Sequence, residues 1–346
     1  MCIRDSLPRY LETTVDSGRA ILTSIAGGLI ASITLLLSMM LIVVQLAGAQ
    51  FSPRTTRDWL GDRSQQVAIG LVLGATVYCL LVLREVRSFE NGADLTPHVS
   101  VILSLVLGIG SLIAVVRSVD LIANGVRIGA VADRIVEETV TLIEQQSKLR
   151  AYEQPDVAPA PARSRTERTT EPPPEATPIC ARYSGWVQQI SEEQIFEVLP
   201  GGSTAQITTV VGGFTLPKAP LMWVWPPVDD DVERHLLDAV AIGDTRTMQE
   251  DVGYGIVRLV DIAVRALSPG VNDPQTANDV TVNLGVVLLA LWEQPESERV
   301  RSKNGRSIIR TDLTHADYLH ASFDPIRRYG DSDPTVVVTL LRTVHA

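Results

Sequence analysis

Six polar residues in the C-terminal half, Arg246, Asp251, Asp261, Arg265, Asn272 and Asp273, are of types that can hold an ion or a small ligand. Arg246 and Arg265 could grip an anion, and the helix expected after Asp273 would add the positive end of its dipole. Asp251, Asp261 and Asp273 could instead offer oxygen ligands to a hard cation. A plainer reading competes with both. Ser268, Pro269 and Gly270 stop one helix, and Asp273 followed by Pro274 starts the next as N-cap and first helical residue. The turn then has a full conformational explanation, and the charges form a buried network around it.

Other chemistry is harder to find. Ser268 has no nucleophile-elbow context. The five histidines, His98, His235, His315, His320 and His345, form no HExxH or other ligand pair. Cys2, Cys79 and Cys180 form neither a CxxC pair nor a disulfide framework. There is no phosphate-binding loop or dinucleotide fingerprint, and Gly253-Tyr254-Gly255 lacks the pore context of a potassium filter. A net charge of −10 argues against a nucleic-acid partner. The expectation is a protein that is not an enzyme and takes no cofactor.

The elements that position the six residues form a small α+β domain over 179–346. A strand is expected over 184–189, and Ser191 with Gln194 forms a capping-box pattern. Strands follow over 207–211 and 221–225, then a helix capped by Asp230 and Glu233 and ended by Gly243. A helix over 255–267 buries Ile256, Leu259, Val260, Ala263 and Leu267, leaving Arg258, Asp261 and Arg265 on its polar face. A second helix runs from Pro274 to about Trp292. Ahead of this domain, residues 151–178 carry seven of the chain's 20 prolines and read as an extended linker.

The N-terminal third belongs to a different solvent. Residues 21–46, 67–83 and 98–116 contain no Asp, Glu, Lys or Arg, and a helix needs about 20 apolar residues to cross roughly 30 Å of hydrocarbon. The fold class is therefore an α-helical membrane domain followed by a cytoplasmic α+β domain, with residues 1–20 outside and a juxtamembrane helix over 117–150 continuing the third span. Gly70 and Gly74 form a GxxxG pattern, and Gly108 offers a third close-packing point. Arg54, Arg57 and Arg63 share one side with Arg117, Arg127 and Arg134, opposite Arg9, Arg19, Arg84 and Arg87 with Arg4, which places the soluble domain in the cytoplasm.

Several long motifs carry a family resemblance. Arg246-Thr247, Asp251, Tyr254-Gly255 and LVDIAVRALSPGVNDPQTA (259–277) resemble the signature of the domain-of-unknown-function 2254 family of bacterial membrane proteins. AQFSPR (49–54), YCLLVLR (78–84), PHVSV (97–101), SGWVQ (184–188) and FDPIRRYG (323–330) are similar to family motifs in the same order. The resemblance implies an earlier membrane helix that this sequence lacks. MCIRDS does not read as a native start, so the expectation is a fragment, shortened at the N-terminus and within a final helix over 340–346. VGGFTLPKAPLMWVWP (211–226) also lacks the acidic residue that the family pattern carries after the glycine. The family has no known activity to transfer.

Two function classes follow. One is a channel or passive transport protein of the bacterial inner membrane, possible as a homo-oligomer in the lipid bilayer and gated by its soluble domain. The alternative is a membrane-anchored sensor or scaffold that binds a ligand or partner through that domain. Absence of ionisable residues inside the spans argues against an ion-coupled pump.

Overall fold

The structure is a computed structural model and describes residues 15–50, 63–86, 98–125, 128–153, 171–294, 300–310 and 312–346. Cys2, Arg4, Arg9, Arg54, Arg57, Arg87, Arg127, most of AQFSPR and most of the proline-rich linker lie outside the described residues. The chain divides into two compact units, Met1–Ala130 and Val131–Ala346.

Unit one holds three helices long and apolar enough to cross a membrane. They are α1 (Val15–Gln50), α2 (Arg63–Glu85) and α3 (His98–Gly125). Their buried residues recur mostly at intervals of three, four and seven. In α2 these are Gln65, Ala68, Val72, Ala75, Cys79 and Val82, with Thr76 beside them; in α3 they are Val101, Ser104, Ser111, Val115 and Ser118. A seven-residue repeat of this kind keeps one seam of each helix facing its neighbours, with small residues allowing close approach in lipid. Arg19 Nη2 donates to Val86 O at 3.0 Å, and Gln65 Nε2 to Ser118 O at 3.4 Å. Gly18 lies beside Val101, and Gly108 beside Ile25. These contacts set α1 and α3 running the same way and α2 opposite, so the α1–α2 connection and the chain after α3 leave the bundle at one end.

Of the three packing glycines expected, only Gly108 packs within the bundle. A Cβ there would stand 3.0 Å from Ile25 Cγ2. At Gly70 and Gly74 a Cβ would meet nothing within 4 Å. The GxxxG pair falls between the heptad positions of α2 and faces outward. Within the stretch expected to be helical over 117–150, α3 runs on to Gly125, and α4 (Ile128–Glu153) covers the residues from 128 onward.

Unit two is a mixed α/β region. A five-stranded sheet has the order β1 (Thr177–Cys180), β5 (Pro220–Trp225), β3 (Thr204–Ile207), β8 (Arg306–Arg310), β7 (Val300–Lys303). Only the β3–β8 pairing is parallel. A three-stranded antiparallel sheet orders β4 (Phe214–Thr215), β2 (Gly185–Ile190) and β6 (Val240–Gly243). Both sheets and helices α5 (Glu192–Val198) and α6 (Asp230–Asp238) close on one core that includes Ile179, Val187, Ile195, Phe196, Met222, Leu236 and Ile308. The α6 cap is Asp229, not Asp230, and the helix stops at Asp238. Val240 and Ile242, β-branched and alternating, form a strand on β2 instead of the helix end expected there. Likewise the strand expected over 207–211 lies three residues earlier, where Thr204–Ile207 pairs with both β5 and β8.

Four further helices pack on one another: α7 (Val252–Ala266), α8 (Pro274–Trp292), α9 (His315–Gly330) and α10 (Pro334–His345). Their core includes Leu259, Ala263, Ala277, Leu284, Ile326 and Val336. The apolar stripe of α4, Val131, Ala132, Ile135, Leu142 and Ile143, is buried as well.

Candidate functional site

The segment between β6 and α7 carries two of the six candidate residues, and the fold joins them. Asp251 is the N-cap of α7, its Oδ1 accepting from Tyr254 N–H at 2.9 Å. The same carboxylate takes a two-pronged bond from Arg246, through Nε to Oδ2 and Nη2 to Oδ1. The Asp251 side chain is 4% exposed and that of Arg246 21%. Burying such a pair is tolerable only when both groups are satisfied, and aromatic rings supply part of the remainder. The Arg246 guanidinium lies 5.9 Å from the Trp186 ring centroid and 5.5 Å from that of Tyr254. Gly212 completes the enclosure. Its φ is +81°, and any Cβ there would collide with both the Asp251 carboxylate and the Arg246 guanidinium.

This corner is tied to α4. Gln146 Nε2 donates to the Glu250 carbonyl at 2.8 Å, one residue before the cap. Glu138 accepts from Arg258 Nη1 at 3.2 Å, and the Arg258 guanidinium lies 5.9 Å from the Tyr254 ring centroid. Gly255 lets α4 approach: a Cβ there would collide with Thr139. Further along, Asn283 donates to Asp133 at 3.4 Å, and Ser147 bonds Gln294. Arg258, expected on the polar face of this helix, is 3% exposed and bonded to Glu138 of α4. The signal for this lay in the pattern of α4 itself, where Glu138 stands one turn from the apolar stripe.

A second charged cluster escaped the sequence reading. Glu192, at the start of α5 and 6% exposed, is held by Arg301 Nη1 at 2.5 Å and by Arg310. Arg310 also pairs with Asp312 at 2.9 Å. Burial alone would push the Glu192 carboxyl up, but Arg310 and Arg301 outweigh it and hold it below its ordinary range. Glu250 goes the other way: burial raises its pKa, although Ile190 N–H and the Gln189 side chain bond to it. These partners come from strands far apart in sequence, and no local motif announces them.

The remaining candidates do not join Arg246 and Asp251. Asp261 and Arg265 lie half-buried one turn apart in the second half of α7. Arg246 is paired at the start of that 15-residue helix and Arg265 sits near its end, roughly 20 Å away at about 1.5 Å per residue. They do not form one anion clamp. Asn272 is in the left-handed region with φ 49°, and Asp273 caps α8 by accepting from Thr276 N–H at 3.1 Å and Thr276 Oγ1 at 2.6 Å. Those two bonds hold the Asp273 carboxyl below its ordinary value. Among the described residues no three His, Cys, Asp or Glu side chains are grouped so as to hold a metal ion, so the three aspartates do not converge as cation ligands.

Comparison with known proteins agrees with the membrane architecture. The model of the family described as predicted membrane protein (DUF2254) matches residues 3–346. An uncharacterised protein of Mycobacterium bovis and one of Mycobacterium tuberculosis are each 30% identical to this chain over 345 residues, covering 97% of it and 64% of the relative. The chain thus spans 64% of the length of the curated relatives it matches. No solved structure matches it.

Proposed function

The chain belongs to the DUF2254 family of predicted membrane proteins, and from that premise we propose that it is a membrane-anchored sensor or scaffold whose soluble unit works through α4. The carrying observation is the seating of α4. This helix follows α3 in the chain after only residues 126–127, yet it is held in the second unit by Glu138–Arg258, Thr139 on Gly255, and Gln146 on the Glu250 carbonyl. A ligand or partner that disturbs the Arg246–Asp251 corner would therefore act on the helix that leads directly into the third span. The reading involves no catalytic step. Arg63 and Arg117, at the shared end of the bundle, favour a cytoplasmic soluble unit in a bacterial inner membrane.

A channel has less support. Ser32, Thr34, Ser38, Thr76 and Ser104, which could line a polar path, donate to carbonyls four residues earlier in their own helices. Hydrogen exchange on the full-length protein in nanodiscs tests the sensor reading. Gly255→Val should unseat α4, and its amides should exchange faster together with those at the end of α3 leading into it. Faster exchange in α4 with α1–α3 unchanged would sink the relay. Steady ion flux through the wild-type protein in liposomes would restore the channel.

A further inference from the structure

Beyond the relay, and independent of it, one surface of unit two is built for a specific environment. We propose that the face formed by Trp186, Phe214 and Leu216, with Arg182 and Lys218 beside it, docks onto a bilayer bearing anionic headgroups. Trp186 and Phe214 are cross-strand partners in the β2–β4 pair, their rings 5.3 Å apart and edge to face. Leu216 follows the end of β4 and is exposed like Phe214, while Thr215 between them is buried. Phe214 is 55% exposed and Leu216 61%, with Tyr183 at 56% on the adjoining segment. Adjacent exposed apolar side chains of this size mark a contact surface.

The surroundings select the occupant. Arg182 and Lys218 are exposed and lie on neighbouring segments, joined by Lys218 N–H to Ala181 O at 2.8 Å and Ala181 N–H to Ala219 O at 2.9 Å. A turn closed by Ala219 N–H to Leu216 O at 3.0 Å holds Leu216 out. Residues 176–191 and 198–228 contain no Asp or Glu, in a chain of net charge −10. Indole, phenol and long apolar side chains rimmed by cations suit the headgroup boundary, where the rings enter the interface and the cations meet lipid phosphates. A protein carrying its own spans keeps this face at high effective concentration near a bilayer.

The test uses the full-length protein in nanodiscs of equal parts phosphatidylcholine and phosphatidylglycerol, with ordinary or brominated acyl chains. The difference in emission between wild type and Trp186→Phe isolates Trp186. That component should fall about twofold in brominated discs, as for an indole at the interface. The fall should vanish in Phe214→Ser/Leu216→Ser. It should weaken in Arg182→Ser/Lys218→Ser, whose exposed sites leave the core untouched, and in discs of phosphatidylcholine alone. Equal emission in ordinary and brominated discs overturns the proposal. So does quenching that survives the Phe214 and Leu216 changes, or shielding of Trp186 from aqueous acrylamide without quenching by brominated lipid, which would mean that protein covers the face.

Discussion

The two units differ in how far their polar side chains reach between elements. Inside the bundle, Thr76 and Ser104 bond the carbonyls of Val72 and Ser100, four residues back, and cross-helix bonds such as Arg19 to Val86 and Gln65 to Ser118 stand at the bundle's ends. In unit two, charged side chains reach between elements far apart in sequence: Arg310 to Glu192, Arg258 to Glu138 and Gln146 to the Glu250 carbonyl. In hydrocarbon an unmade bond has no water to replace it, so local bonds that survive helix movement are favoured. Where water can reach the unfolded chain, a buried pair instead ties one arrangement together, and losing one partner strands the other. The bundle should therefore tolerate loss of a polar group, and unit two should not.

The largest break in that contrast is expected at Glu192. Glu192→Ala leaves Arg301 and Arg310 without their shared carboxylate, and removal of one partner from a buried charge cluster costs about 3–5 kcal/mol. Equilibrium denaturation in detergent reads this through tryptophan emission, since Trp186, Trp223, Trp225 and Trp292 all lie in unit two. Ser104→Ala in the bundle should cost under about 1 kcal/mol. Equal losses would erase the distinction.

Close packing gives the next contrast. Gly255→Ala sets a methyl against Thr139, which is fully buried with its own hydroxyl bonded to Ile135 O, and overpacking of this sort costs about 1–3 kcal/mol. Adding Thr139→Ala should return most of it, because contacting sites are non-additive. Gly108→Ala meets only the half-buried Ile25 side chain, 3.0 Å away at Cγ2, a milder approach than the one at fully buried Thr139, so its effect should be smaller.

Titration separates buried Glu192 from half-buried Glu250 in unit two. The lowered pKa of Glu192 contributes stability that is present above the ordinary glutamate value and lost as pH falls through the lowered one. The raised pKa of Glu250 has the opposite sign: its contribution is full below the ordinary value and lost as pH rises through the raised one. Glu250→Gln should thus gain on wild type across that upper window, measured by denaturation at a series of pH values. A difference between the two that is flat with pH would remove Glu250 from the cluster's titration.

How much of this could be read from the sequence follows the same division. The spans were legible because charge-free runs of the right length depend on no partner, and so were the caps at Ser191 and Asp273, which act within one turn. Arg246 and Asp251 were named among the candidates as polar residues of the signature motifs, but in different groupings, and their pairing with each other was not read. Nor was the aromatic enclosure by Trp186, since that ring arrives from β2. Glu192 with Arg301 and Arg310 was invisible for the same reason. The outward turn of Gly70 and Gly74 was missed because GxxxG states that an approach is possible without saying which side of the helix is taken.

A small predicted effect decides whether Asp273 is more than a cap. Its carboxylate accepts from Thr276 N–H and Thr276 Oγ1, and loss of an N-cap costs about 1 kcal/mol. Asp273→Ala should show that loss, whereas Asp273→Ser, which keeps an oxygen for the Thr276 amide, should recover most of it. Phenotype in cells should then follow stability if the turn is purely structural. A Ser variant as stable as wild type but without its cellular phenotype would mean that the negative charge itself is used, and the Asn272–Asp273 turn would return as a ligand site separate from the Arg246–Asp251 corner.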